Sequence, residues 1–145
     1  MKRLGLMAMA VALAMAAAAP PASAQVLLRL QNRATVEQQG RDNGAAIAQN
    51  GVANRAGVWQ RGQSHTGVVR QNGVGNAGGV IQSGAGNTAN VTQNNTNNQL
   101  CLMQRGDNLN ANVTQNGNDA SWYVQRNESV LRMPAGGLIF RMCAG

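Results

Sequence analysis

The sequence predicts an all-β fold, a β-solenoid of stacked two-strand rungs with parallel, in-register strands, 22 residues per rung in 11-residue half-repeats. Three observations predict it. Gln returns every eleven residues, at Gln38, Gln49, Gln60, Gln71, Gln82, Gln93, Gln104 and Gln115, with no gap or insertion. The other constant positions of each unit lie two residues apart, which is the strand period rather than the helical one. Gly follows each Gln at the second place, with Asn95 as the one departure.

The first element is outside that fold. Lys2 and Arg3, the apolar stretch Leu4 to Ala19 and the small-residue site Ala22-Ser23-Ala24 have the order of a secretory signal peptide over 1–24. The stretch is short of the ~20 residues that a bilayer span needs. A short segment, 25–31, then leads into the repeat. Without Lys2 and Arg3, ten arginines stand against five carboxylates, and no lysine remains. Asn, Gln and Gly dominate and aromatics are nearly absent, so a conventional core of bulky side chains is excluded.

The repeat occupies 32–126. Two places before each Gln is an apolar residue: Val36, Ile47, Val58, Val69, Val80, Val91, Leu102, Val113, and then Val124. Two further back comes a small residue, with Leu100 and Trp122 as exceptions, and two further still an Asn: Asn32, Asn43, Asn54, Asn76, Asn87 and Asn98. His65, Leu109 and Ala120 break that last series. The unit is Q-x-G-x-x-N-x-A-x-V-x-Q. A right-handed helical supercoil has the same period, but a Gly in nearly every turn would destabilise a helix by ~1 kcal/mol each time. N-x-A-x-V-x-Q therefore reads as a strand with one inward face, near 32–38, 43–49, 54–60 and so on to 120–126. Gly40, Gly51, Gly62, Gly73, Gly84, Gly106 and Gly117 read as the turn residues, adopting φ > 0 or allowing close approach.

Successive units fold back on each other across a narrow core, and rungs stack at ~4.8 Å. Stacking explains why amides face inward. A buried unpaired amide costs ~1–3 kcal/mol, but at the rung spacing each amide donates to the one above and accepts from the one below, as in cross-β assemblies. At the N-terminal side nothing in the sequence caps the open strand edge. At the C-terminal side Arg126 stands where Gln is due and Gln125 comes one place early. The tail 127–145 abandons the unit, which makes it a degenerate cap, a slipped strand or a contact segment.

The unit resembles the curlin repeat of bacterial curli fibres over residues 32–126. The resemblance implies a secreted subunit that joins or nucleates an extracellular functional amyloid for adhesion and biofilm matrix. Its implied partners are other curlin subunits and the outer-membrane secretion and assembly machinery. Of the family's two subunit types, the continuous eleven-residue units, the Arg-rich surface and the aberrant basic last repeat resemble the minor, nucleating type. The inward Gln, Asn and apolar positions are then the assembly residues.

The remaining residues carry less. Cys101 lies between inward Leu100 and Leu102 and points outward; with Cys143 it makes an even pair in an oxidising compartment, open to a disulfide or to two free thiols. His65 is the only histidine and reads as a tolerated ladder defect. No catalytic triad, paired carboxylates or metal cluster can be built from one His and five scattered acids, so no enzyme activity and no cofactor is expected. Arg41, Arg55, Arg61, Arg70, Arg105 and Arg126 fall at outward or terminal positions. They guard against wrong edge pairing, or attract acidic polysaccharide or extracellular DNA without sequence specificity. The other class of function is a monomeric secreted solenoid that binds ice or acidic polysaccharide on one face.

Overall fold

The computed structural model describes residues 31–127, 129–134 and 143. The expected signal peptide (1–24), all but Gln31 of the segment 25–31, and most of the tail beyond Pro134 lie outside the described residues. Ten strands follow one another: β1 Arg33–Arg41, β2 Gly44–Val52, β3 Arg55–Gln63, β4 Thr66–Val74, β5 Ala77–Ala85, β6 Thr88–Thr96, β7 Gln99–Asp107, β8 Asn110–Gln115, β9 Ala120–Arg126 and β10 Ser129–Pro134. Odd and even strands segregate into two sheets, β1-β3-β5-β7-β9-β10 and β2-β4-β6-β8. Each strand from β1 to β7 pairs in parallel with the next of its sheet, and for β1 to β6 the partner is 22 residues on, as in Val58↔Val80 and Gln71↔Gln93. The molecule is a β-solenoid of stacked two-strand rungs.

Most strands start one residue after the Asn position and run three residues past the Gln, further than the expected ends. The glycine two places after Gln is therefore inside a strand and not at the corner. Its φ is positive, +124° at Gly40 and +131° at Gly62, yet the neighbouring rung is what fixes its identity. A Cβ on Gly40 would lie 1.7 Å from the Gly62 carbonyl oxygen. The reversal comes two residues later, at a second left-handed position: Asp42, Ala53, Ser64, Gly75, Gly86, Asn97 and Asn108, with φ between 54° and 70°. From the second rung on, the N–H of that residue reaches back to the preceding rung, as in Ser64 N to Arg41 O at 3.0 Å and Gly86 N to Gln63 O at 2.9 Å. The corners stack as regularly as the strands.

Between the sheets lie Ala56, Val58, Val69, Val80, Ala89, Val91, Leu100 and Leu102, all buried. Each buried Val or Leu contributes about 1.5–3 kcal/mol. The core is one side chain deep, so polar interior positions must carry the rest. Val36 and Ile47 belong to the same columns but lie in the first rung, where Val36 is 42% exposed.

The last rung corrects the counted frame. β7 pairs with β9 at an offset of 21, with Leu102↔Tyr123 and Gln104↔Gln125. The turn after Gln115 is one residue short, so the inward residues are Ser121, Tyr123 and Gln125, not Trp122 and Val124. Asp119, not Ala120, falls in the Asn column, and Arg126 is displaced to the outside. A one-residue slip exchanges the two faces of a strand. Keeping Gln125 on the ladder decides which face wins. β10 then folds back antiparallel on β9, with Val130↔Gln125 and Arg132↔Tyr123.

Candidate functional site

Two glutamine ladders run the length of the solenoid, one from each sheet. In one, Gln38 donates to Gln60, Gln60 to Gln82, Gln82 to Gln104 and Gln104 to Gln125, Nε2 to Oε1, at 2.7–2.9 Å. In the other, Gln49 donates to Gln71, Gln71 to Gln93 and Gln93 to Gln115 at 2.7–2.8 Å. The ladders have a direction: every amide donates toward the C-terminal end. The second proton of Nε2 crosses the core to the first carbonyl of a strand in the opposite sheet. Gln60 reaches Gly44 O at 2.9 Å, Gln71 reaches Arg55 O at 2.7 Å and Gln104 reaches Thr88 O at 3.0 Å. One residue type thus bonds rung to rung and sheet to sheet, which Glu, Leu or Thr at the same place would not do.

The asparagines work differently from the expected amide-to-amide stack. Each Oδ1 accepts the backbone N–H of the residue one rung on, as Asn54 does from Asn76 at 3.1 Å and Asn76 from Asn98 at 3.0 Å. Each Nδ2 before Asn98 donates to the carbonyl of the glycine position in the following rung. Asn43 reaches Gly62 O at 3.2 Å, Asn54 reaches Gly73 O at 2.9 Å and Asn87 reaches Gly106 O at 2.8 Å. Only Asn98 adds a side-chain bond to another column member, to Asn76 Oδ1 at 3.0 Å. The spacing Q-x-G-x-x-N follows from this bond, since Asn and the Gly one rung on must meet at the same corner. Asn95 takes the glycine place with φ +69°, a conformation Asn tolerates better than other non-glycine residues.

His65 is more than a tolerated defect. It is fully buried, with Nδ1 3.3 Å from the Asn87 N–H and Nε2 3.1 Å from the Arg61 carbonyl. The Nε2–H tautomer reproduces the acceptor and donor of the Asn it replaces. Leu109 cannot do so, and the Asn column loses its side-chain bonds there.

The two cysteines are joined. Cys101 and Cys143 form a disulfide with their Cα atoms 5.8 Å apart. Cys101 points to the outer face of its sheet, as its position between Leu100 and Leu102 requires, but it is buried because Cys143 lies over it. Gly79, its neighbour one rung earlier, leaves the room: a Cβ there would fall 1.9 Å from the Cys143 carbonyl oxygen. That glycine lies outside the repeat unit, and no spacing marks it. The strap β10 is held further by Arg132, whose guanidinium bonds Asp119 at 3.2 Å and Ser121 Oγ at 2.9 Å and lies 5.7 Å from the Tyr123 ring centre. The arginines Arg41, Arg55, Arg61, Arg70, Arg105 and Arg126 are all exposed. Among the described residues no group of three or more His, Cys, Asp or Glu is placed to hold a metal ion.

The family model described as the curlin associated repeat matches residues 40–71 and 66–94, which span β2 to β5 and most of β6. No curated protein and no solved structure matches the chain.

Proposed function

The chain carries curlin-associated repeats and belongs to the curlin family, and on that premise we propose that it is a secreted structural subunit of curli-type amyloid fibres. Its task is to nucleate or join fibre polymerisation, for adhesion and biofilm matrix, and not to catalyse a reaction. The ladder residues Gln38 to Gln115, the Asn column and the apolar column from Val36 to Val113 are the assembly residues in this reading. The observation that carries it is the continuity of the ladders. Every rung repeats the glutamine hydrogen bonds of the rung before it, so an exposed terminal rung is a template for the next chain. The exposed arginines give the fibre surface a positive field suited to acidic polysaccharide or extracellular DNA. The aberrant last rung and basic surface favour the minor, nucleating subunit, delivered through the outer-membrane curli machinery after removal of 1–24.

The test is to recover detergent-resistant extracellular material from cells that produce the protein. The chain should be found there in fibres with a meridional reflection near ~4.8 Å. Recovery only as soluble monomer contradicts the reading.

A further inference from the structure

The two ends of the solenoid offer different chemistry, and the difference gives the subunit a polarity. At the N-terminal end β1 is exposed along all nine residues. Gln38 and Gln49 spend their amide protons inward, on Gln60, Gln71 and Arg33 O, and among the described residues no donor reaches their Oε1 atoms. In later rungs the backbone N–H of the Asn column donates to an Asn Oδ1 or His65 Nδ1 of the rung before, as Asn54 does to Asn32 and His65 to Asn43. Asn32 and Asn43 begin the column, with no earlier rung among the described residues. This face therefore presents amide acceptors and backbone donors in the register of the repeat. A chain whose last rung ends in Gln Nε2 and Asn Oδ1 presents the complement.

The C-terminal end cannot present that complement. A docking rung is two strands wide and needs the outer edges of β8 and β9 together, but β9 is already paired with β10. β10 runs antiparallel, and its residues opposite the inward Ser121, Tyr123 and Gln125 are Pro134, Arg132 and Val130. None of them is an amide, so the ladder stops. Pro134 has no N–H to give and Arg132 brings a charge, which are the means by which sheet edges are blunted. On the other sheet Gln115 turns its Nε2 to Gln99 O and Asp119 O. The Cys101–Cys143 bond fastens the chain beyond β10 to the outer face of β7.

We propose that the protein assembles through its N-terminal face alone: β1 and β2 receive the C-terminal rung of a curlin-repeat solenoid that has no strap, while β10 denies the other face to a second copy. Each chain then sits at one end of a stack, which grows away from β1 and β2 only. This rests on the fibre-subunit reading above and gives it a direction. The disulfide makes the blocked face partly conditional, since reduction of Cys101 and Cys143 leaves β10 held only by its pairing with β9 and by Arg132.

The probe is a full-length variant with the strap opened, Cys143→Ser with Val130→Pro and Leu131→Pro, mixed with gold-labelled oxidised wild-type chain. The opened variant alone should form long fibres, and the wild-type chain alone only small species. One wild-type chain in twenty should shorten the fibres several-fold and leave gold at one end of each. The same label on a chain carrying Gln38→Arg and Gln49→Arg should not attach. A milder pair, Cys143→Ser alone and the reduced wild-type chain, should elongate faster than the oxidised chain. Equal elongation by oxidised, reduced and opened chains, or gold along the fibres or at both ends, overturns the polarity and leaves the fibre reading standing. Fibres from none of them overturns both.

Discussion

At the N-terminal end of the solenoid Val36 is 42% exposed and no described strand pairs with the outer edge of β1, while at the C-terminal end Gln125 is buried and β9 is covered. Both ends are made from the same unit. What separates them is the sequence added after it: a turn shortened by one residue, an antiparallel strand and a disulfide 42 residues in span. The comparison teaches that stacking is indifferent to position, so whether a rung propagates is decided by what covers its outer edge. A repeat of this kind needs a specific device to stop, and β10 is one.

The largest expected effect lies between the ends. Gly62→Val places a side chain against the Gly84 carbonyl, where even a Cβ would come to 1.9 Å, at φ +131°. Backbone strain of about 1–3 kcal/mol adds to the forced separation of the rungs. We expect the thermal transition to lose its cooperativity, read by circular dichroism; a shift of only a degree or two would mean that the rungs do not approach as closely as described. Next comes the disulfide. Loop closure over a span of this length is worth roughly 3–4 kcal/mol in the unfolded-state entropy model. Cys101→Ser with Cys143→Ser should therefore lower stability, and hydrogen exchange should rise most in β7, β9 and β10 and little in β1 to β4. A uniform rise would sink the localised role.

Smaller effects separate interior from edge. Gln82→Leu removes a donor and an acceptor from a buried ladder and leaves Gln60 Nε2 and Gln104 Oε1 without their partner. A cost of about 1–3 kcal/mol is expected. The matching change at the open end, Gln38→Leu, strands only one partner and should cost less than about 1 kcal/mol in denaturant titrations of the monomer. Equal costs at the two positions would deny the difference between a paired and an open rung. Smallest of all is His65→Asn, which restores the column residue. Stability within about 1 kcal/mol of wild type is expected, and a larger loss would show that the imidazole does more than stand in for an amide.

Much of this architecture was legible because the ladder acts on identity, not merely on polarity. Gln must meet Gln at 22-residue spacing, so the columns at 38 through 115 could be read directly, and with them the apolar column and the strand period. The second left-handed corner was not legible. Its occupants, Asp42, Ala53, Ser64, Gly75, Gly86, Asn97 and Asn108, share a backbone conformation and no side-chain chemistry. Ala53 and Ser64 are held there by the stacked corners against the αL penalty of roughly 1–2 kcal/mol. The slip before β9 was half visible, in Gln125 arriving one place early, but Val124 and Trp122 continued the counted frame well enough to mislead. Gly79 and β10 belong to no period. Their reason is a contact with a segment far along the chain, and a repeat carries no record of it.

The most direct measurement is site-resolved backbone hydrogen exchange of the oxidised chain, comparing β1 with β9. In a parallel sheet an edge strand bonds only part of its N–H groups and a covered strand bonds nearly all. Alternate amides of Arg33–Arg41 should exchange at rates close to those of an open chain, while those of Ala120–Arg126 are protected along the strand. Protection of β1 equal to that of β9, or a β9 as open as β1, would contradict a solenoid with one free end and one closed.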